Sequence, residues 1–162
     1  MTAYKGQSRR IKDTLVTIIS GITYDSGGGA EPAFVSVQDS TKDAFSGYPA
    51  VRILPNQLSS QTGTNTERDH TVSYALILHL PLEDANNVES ATYNQMYDLT
   101  DLITDTLQHS DFIRQLETLD PNIQLFKNLE VKNTSWRVAS GKTGGMLFAN
   151  ISVDITYSKS AA

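Results

Sequence analysis

Apolar positions fall into two rhythms along this chain. From Ser8 onward, Ile11, Leu15, Ile18, Ile19 and Ile22 recur at spacings of three and four, which turns one stripe of a helix toward a core. Gly21 and the run Ser26-Gly27-Gly28-Gly29 mark its end, and the triglycine reads as a hinge or connector because glycine leaves the backbone free. The segments 32–37 and 48–54 are short β-branched or aromatic runs between turn formers and are read as strands, with Pro49 at a strand start or on an edge because it cannot donate to a ladder. Residues 71–80 alternate, with Val72, Tyr74, Leu76, Leu78 and Leu80 on one face and Ala75, Ile77 and His79 on a partly covered other.

Pro81 stops that strand, and the helical rhythm returns over Asn87 to His109. Val88, Met96, Leu99, Ile103 and Leu107 form its stripe, widened by Tyr93, Tyr97 and Leu102. Asp111 to Leu116 reads as a helical turn capped by Ser110, and Asp120-Pro121-Asn122 as a turn. Strands follow over 125–138, with a break at Asn133, and over 146–157, where Leu147, Ala149, Ile151, Val153, Ile155 and Tyr157 alternate with polar neighbours. The glycine-rich turn between them predicts a hairpin, and residues 158–162 a frayed tail. This order predicts an α+β fold in a single domain spanning 1–162: a mainly antiparallel sheet of four to five strands, two main helices packed on one face, and a long β-hairpin arm.

That arm is the polar stretch Pro55 to His70, in which Leu58 is the only aliphatic residue. A structureless connection longer than about 12–15 residues is uncommon in a compact domain and usually carries function. Its candidate contact residues are Ser59, Gly63, Glu67, Arg68 and Asp69, with Gly63 and the hydroxyl and amide residues letting it order late.

With 162 residues, 39% hydrophobic and 19% charged, the chain has the composition of a folded domain. The absence of cysteine excludes a disulfide framework, cysteine-based zinc sites and thiol catalysis. No apolar run approaches the ~18 residues of a membrane span, and Met1 to Arg10 leads into a helix, so the chain is expected to act without crossing a membrane. A net charge of −5 argues against generic nucleic-acid affinity, which depends on cations displacing counterions. Charge is unevenly placed. Lys5, Arg9, Arg10 and Lys12 stand without an acid in residues 1–12, whereas residues 83–120 hold nine acids against Arg114 alone. A dipolar subunit of this kind can attract its own copies.

Candidate chemistry is thin. Ser140-Gly141-Lys142-Thr143 has the end of a phosphate-binding loop, but Trp136 stands where the first glycine belongs and no helix follows, so a hairpin turn is expected. His70, His79 and His109 are too far apart to resemble a metal-ligand pair, with His79 a satisfied strand residue and the other two solvated. Neither Asp69-His70 nor His109-Ser110-Asp111 has the spatial logic of a triad. Asp98, Asp101 and Asp105 project from one helix face, as a solvated surface or as a docking face for Arg9, Arg10 and Lys12 of a neighbouring copy. Trp136 is assigned to the core or to a subunit contact. These readings predict no catalytic residue, metal or cofactor.

The amphipathic first helix, the Tyr48-Pro49-Ala50-Val51-Arg52-Ile53-Leu54 strand after a glycine-rich passage, the polar arm and the 71–80 strand form a pattern. The acidic helix with Tyr93-Asn94-Gln95-Met96-Tyr97 and the closing strands with Trp136-Arg137-Val138 and Ile151 to Tyr157 continue it. The pattern resembles the tail terminator (tail completion) proteins of long-tailed bacteriophages. The resemblance implies a small non-enzymatic structural subunit, made in the host cytoplasm and resident in the virion at the tail neck. Such subunits form a ring, typically a hexamer, on the head-proximal end of the tail tube, stopping its growth and presenting a surface for head-tail joining. Implied partners are further copies, the tail tube protein and a head-completion or connector protein, with DNA passing through the lumen without specific binding. Another neck or head-completion protein is the nearest alternative, and a small nucleotide-binding enzyme, testable by loss of binding in Lys142→Ala, a more distant one.

Overall fold

The computed structural model describes residues 6–25, 27–42, 44–62, 67–109, 112, 126–141 and 144–160. Helix α1 (Gln7–Ser20) is followed by three short strands, β1 (Thr23–Asp25), β2 (Ala30–Pro32) and β3 (Ser36–Gln38). Long strands β4 (Ala50–Thr62) and β5 (Glu67–Leu82) precede helix α2 (Ser90–Gln108), and β6 (Phe126–Gly141) and β7 (Gly144–Ser160) complete the order. The fold is α+β, with two helices and a mixed sheet in a single domain. The five-stranded sheet runs β3-β4-β5-β7-β6, antiparallel throughout except for the parallel β3/β4 pair.

Alternation decides what is buried. Val72, Tyr74, Leu76, Leu78 and Leu80 of β5 and Leu147, Ala149, Ile151, Val153, Ile155 and Tyr157 of β7 point to one face. They join Ile11, Leu15, Ile18 and Ile19 of α1 and Met96, Leu99, Ile103 and Leu107 of α2 in one cluster. The helix periodicity and the strand alternation therefore meet in a common core. Two tyrosines anchor the start of α1: the Tyr74 hydroxyl donates to the Ser8 carbonyl, and the Tyr157 hydroxyl lies 3.2 Å from Ser8 Oγ.

Several expectations need correction. The stretch from Pro55 to His70 is not structureless: β4 stays paired with β5 out to Thr62↔Arg68, past one register shift between Pro55 and Gln57. Pairing needs only backbone donors and acceptors, so a ribbon with no apolar face reads in sequence as a loop. Nor does residue 158 begin a frayed tail, because β7 pairs β5 through Ser160↔Glu67 and Ser158 is buried. The 32–37 strand is two strands, β2 and β3, on either side of buried Ala33 and Phe34. The glycine run closes the β1/β2 hairpin: Asp25 Oδ1 accepts from Gly27 N at 2.8 Å and Gly29 N at 3.2 Å, and both glycines have φ of 110°. The Asn133 break is a register shift between Val131 and Asn133. The 111–116 helical turn falls outside the described residues apart from Phe112, which is helical and buried.

Candidate functional site

The sheet has two unlike faces. On the face away from the core cluster, cross-strand register aligns Leu54, Ala75, Ser152 and Asn133 in one row, Gln57, Ser73, Asp154 and Glu130 in the next, and Ser59, Thr71, Thr156 and Asn128 in a third. No lysine or arginine stands in these three rows by register, but Lys132, at the β6 register shift, reaches Glu130 at 3.2 Å. Thr71 and Thr156 hydroxyls meet at 3.0 Å, and Ser73 Oγ donates to Asp154 Oδ1 at 2.6 Å, so the side chains lie in cross-strand pairs.

At one end this face carries an aromatic row. His79 lies between the Phe45 and Phe148 rings, each centroid 4.8 Å away, with Arg52 over Phe45 at 4.2 Å and Arg137 over Phe148 at 4.9 Å. Arg52 also donates to Gln38 Oε1 and to the Ser40 carbonyl, which fixes the loop after β3 against β4. Burial, reinforced by Arg52, holds the His79 imidazole below its usual pKa, against the Ile77 carbonyl 3.0 Å from Nδ1.

The predicted contact residues separate into engaged and exposed groups. Lys12 forms ion pairs with Asp13 and with Asp39 at 2.6 Å. Burial works to lower its ammonium pKa, but hydrogen bonds and charge from the two aspartates outweigh it and hold it above the usual lysine value. Arg9 is exposed on α1, and Arg10 is partly buried, its carbonyl accepting from the Thr14 hydroxyl at 2.8 Å. Asp69 is also engaged. It accepts from Ser158 Oγ at 2.6 Å and pairs with Lys127 at 2.9 Å, and these contacts hold its carboxyl below the usual pKa. Ser59 and Arg68 are exposed on β4 and β5, Glu67 opens β5, and Gly63 lies outside the described residues. Asp98, Asp101 and Asp105 are all exposed, and Asp98 accepts from the Tyr24 hydroxyl at 3.3 Å.

Some residues take roles that their sequence context hides. His70 is not simply solvated: it stacks on Tyr157 with ring centroids 5.4 Å apart and lies 2.9 Å from Ser60 Oγ through Nδ1. Ser60 and His70 are direct cross-strand partners, so strand pairing explains the contact. Tyr97 and Trp136 are not core residues. They are 49% and 46% exposed and meet edge to face at 5.6 Å, with Val138 exposed two positions along β6. The polar run of Glu130, Lys132, Asn133 and Ser135 was the available signal that β6 is poorly covered.

Between α1 and β4 lies a groove of about 460 Å³, floored by Ile53, Leu58, Val72 and Tyr74 and rimmed by Arg9 and Lys12. At the other end of the sheet, Ser140 and Gly141 finish β6 and Gly144 starts β7, so the phosphate-loop-like run lies in a hairpin, with Lys142 and Thr143 outside the described residues. Gly144 has φ of 119°, and a Cβ there would lie 2.5 Å from the Leu82 carbonyl oxygen. Among the described residues no group of three histidine or acidic side chains is placed to hold a metal ion. Among the same residues no helix is long and apolar enough to cross a membrane. The chain matches no protein-family model, and no curated protein matches its sequence.

Proposed function

We propose that this chain is the ring-forming subunit at the head-proximal end of the tail tube of a long-tailed phage. It ends tube polymerisation and offers the docking surface for the head-completion protein. The observation that carries this reading is the non-core sheet face, where three consecutive rows hold mostly polar and acidic side chains and the one cation among the described residues that reaches them, Lys132, is ion-paired to Glu130. Turned toward a lumen, these three rows release few counterions from passing phosphates and repel them weakly, so DNA slides without sticking. The extended β4/β5/β7 ribbon, with exposed Ser59 and Arg68, is the part of the subunit that reaches the tube or the connector. The ring is a neck component of the virion, and its partners are its own copies, the tail tube protein and the head-completion protein.

Adding purified chain to growing tail tubes tests this. Tubes are expected to stop elongating and to carry a ring at one end in electron micrographs, with a closed oligomer in native mass spectra. Continued elongation beside a chain that never attaches to tube ends refutes the proposal. Attachment to portal-side proteins without tube capping replaces it with a different neck role.

A further inference from the structure

We propose that copies of this chain join head to tail through opposite edges of the sheet, with the Trp136 edge of one copy seated in the α1 groove of the next. This names the contact surfaces of the proposed ring and rests on that reading.

Both edges have unused pairing capacity among the described residues. β6 ends the sheet on one side. On the other, β3 covers β4 only from Ala50 to Arg52, so Ile53 to Thr62 has an open outer side about 34 Å long at 3.4 Å per residue. An open edge is a template for another strand. The directions match: β4, β5, β7 and β6 alternate, so β6 runs opposite to β4. A second copy placed beside the first in the same orientation therefore presents its β4 antiparallel to β6, and the ladder continues without reversing the alternation.

That placement also keeps the faces in register. Trp136 lies opposite Ala149 and Val138 opposite Leu147, so both stand on the core face of β6. Ile53 and Leu58 lie opposite Leu76 and Val72, on the core face of β4. Trp136 lies level with Val51, where β3 covers β4, so the second copy sits displaced along the strands by about seven residues, roughly 24 Å, which brings the exposed Trp136, Tyr97 and Val138 against the groove floored by Ile53, Leu58 and Val72, where Leu58 is 57% exposed. Charge agrees with shape: Asp101 is exposed one turn from Tyr97 on α2, and the groove rim carries the exposed cation Arg9, while Lys12 and Asp39 of the same rim pair with each other. A contact between two different patches is heterologous and propagates until the rotation closes a ring.

The test uses two single variants of the full chain, each with a charge placed on one exposed surface: Trp136→Glu blocks the β6 edge and Leu58→Glu blocks the groove. In native mass spectra the wild-type chain is expected to form a closed oligomer and each variant alone to remain monomeric. A 1:1 mixture of the two is expected to form a dimer that stops at two subunits, since each retains one intact surface. Dimer formation in the mixture also shows that both variants fold. Trp136 is the only tryptophan, so wild-type emission should move to shorter wavelength as concentration rises. Self-association of Leu58→Glu alone overturns the proposal, because it signals a contact between like edges. So does a mixture that stays monomeric while the wild type assembles, which leaves the ring reading standing. A wild-type chain that is monomeric at every concentration also overturns it, and tube capping by the same sample shows whether the ring reading falls with it.

Discussion

Truncating two adjacent residues of β5 should have very different costs. Leu76 is fully buried between Ile53 of β4 and Ile151 of β7, beneath the helices. Leu76→Ala removes three carbons, and at about 0.8 kcal/mol per buried methylene the transfer loss is about 2.4 kcal/mol. Strands paired on both sides cannot collapse into the gap, so a cavity contribution brings the total to about 3–5 kcal/mol. Ile77 points to the opposite face and is only partly covered. Ile77→Ala there leaves a notch open to water rather than a cavity, and the cost should be about 1 kcal/mol. Urea unfolding followed by circular dichroism, at one fixed protein concentration, gives both values from the midpoints if the slopes stay equal. Equal losses at the two positions would refute the assignment of one covered and one open face.

Three further outcomes are expected. Gly144→Ala should destabilise by about 1–3 kcal/mol, because a side chain meets both a positive φ and the Leu82 carbonyl, while Gly28→Ala, with nothing within 4 Å, should be nearly silent; thermal melts of both variants check this. His79 has a lowered folded pKa, so the unfolded chain takes up its proton first and stability should decline as pH falls below the ordinary histidine value of 6.5. That decline should be shallower in His79→Gln when urea midpoints are compared between pH 7 and 5. Deleting Ser59 to Asn65 removes the outer rungs of β4, yet β5 keeps β7 as a partner through Ser160, so the unfolding midpoint should change little while tube capping is lost. Loss of folding would instead make the ribbon an integral part of the domain.

What the sequence reveals depends on whether an element leaves a periodic trace. In α1, the Ile11, Leu15, Ile18, Ile19 and Ile22 stripe is buried as its spacing requires, and so are the six alternating residues of β7. Strands β1, β2 and β3 have three residues each, too few for a period to register, and the parallel β3/β4 pair joins residues in a way no local pattern encodes. The ribbon beyond Pro55 is paired but has no apolar face, which removes the signal that normally identifies a strand. Candidate contact residues were harder still. Lys12 is engaged by Asp39, 27 positions away, and Asp69 by Ser158, 89 positions away. Trp136 reads equally as core or subunit contact until the strand order puts β6 at the edge.

The tyrosine contacts at Ser8 set a timetable for synthesis. Ser8 leaves the ribosome early, but one of the hydroxyls that secure it belongs to Tyr157, 149 positions later. Helix α1 can form as soon as its residues emerge, while its apolar stripe waits for a sheet whose interior strand β7 is made last among the described elements. Such distant closure slows folding and leaves Ile11, Leu15 and Ile18 uncovered in the nascent chain. A subunit built this way completes its fold only after most of the chain is free, so the α1 stripe is the surface that stays open to other chains until the strand of Tyr157 arrives.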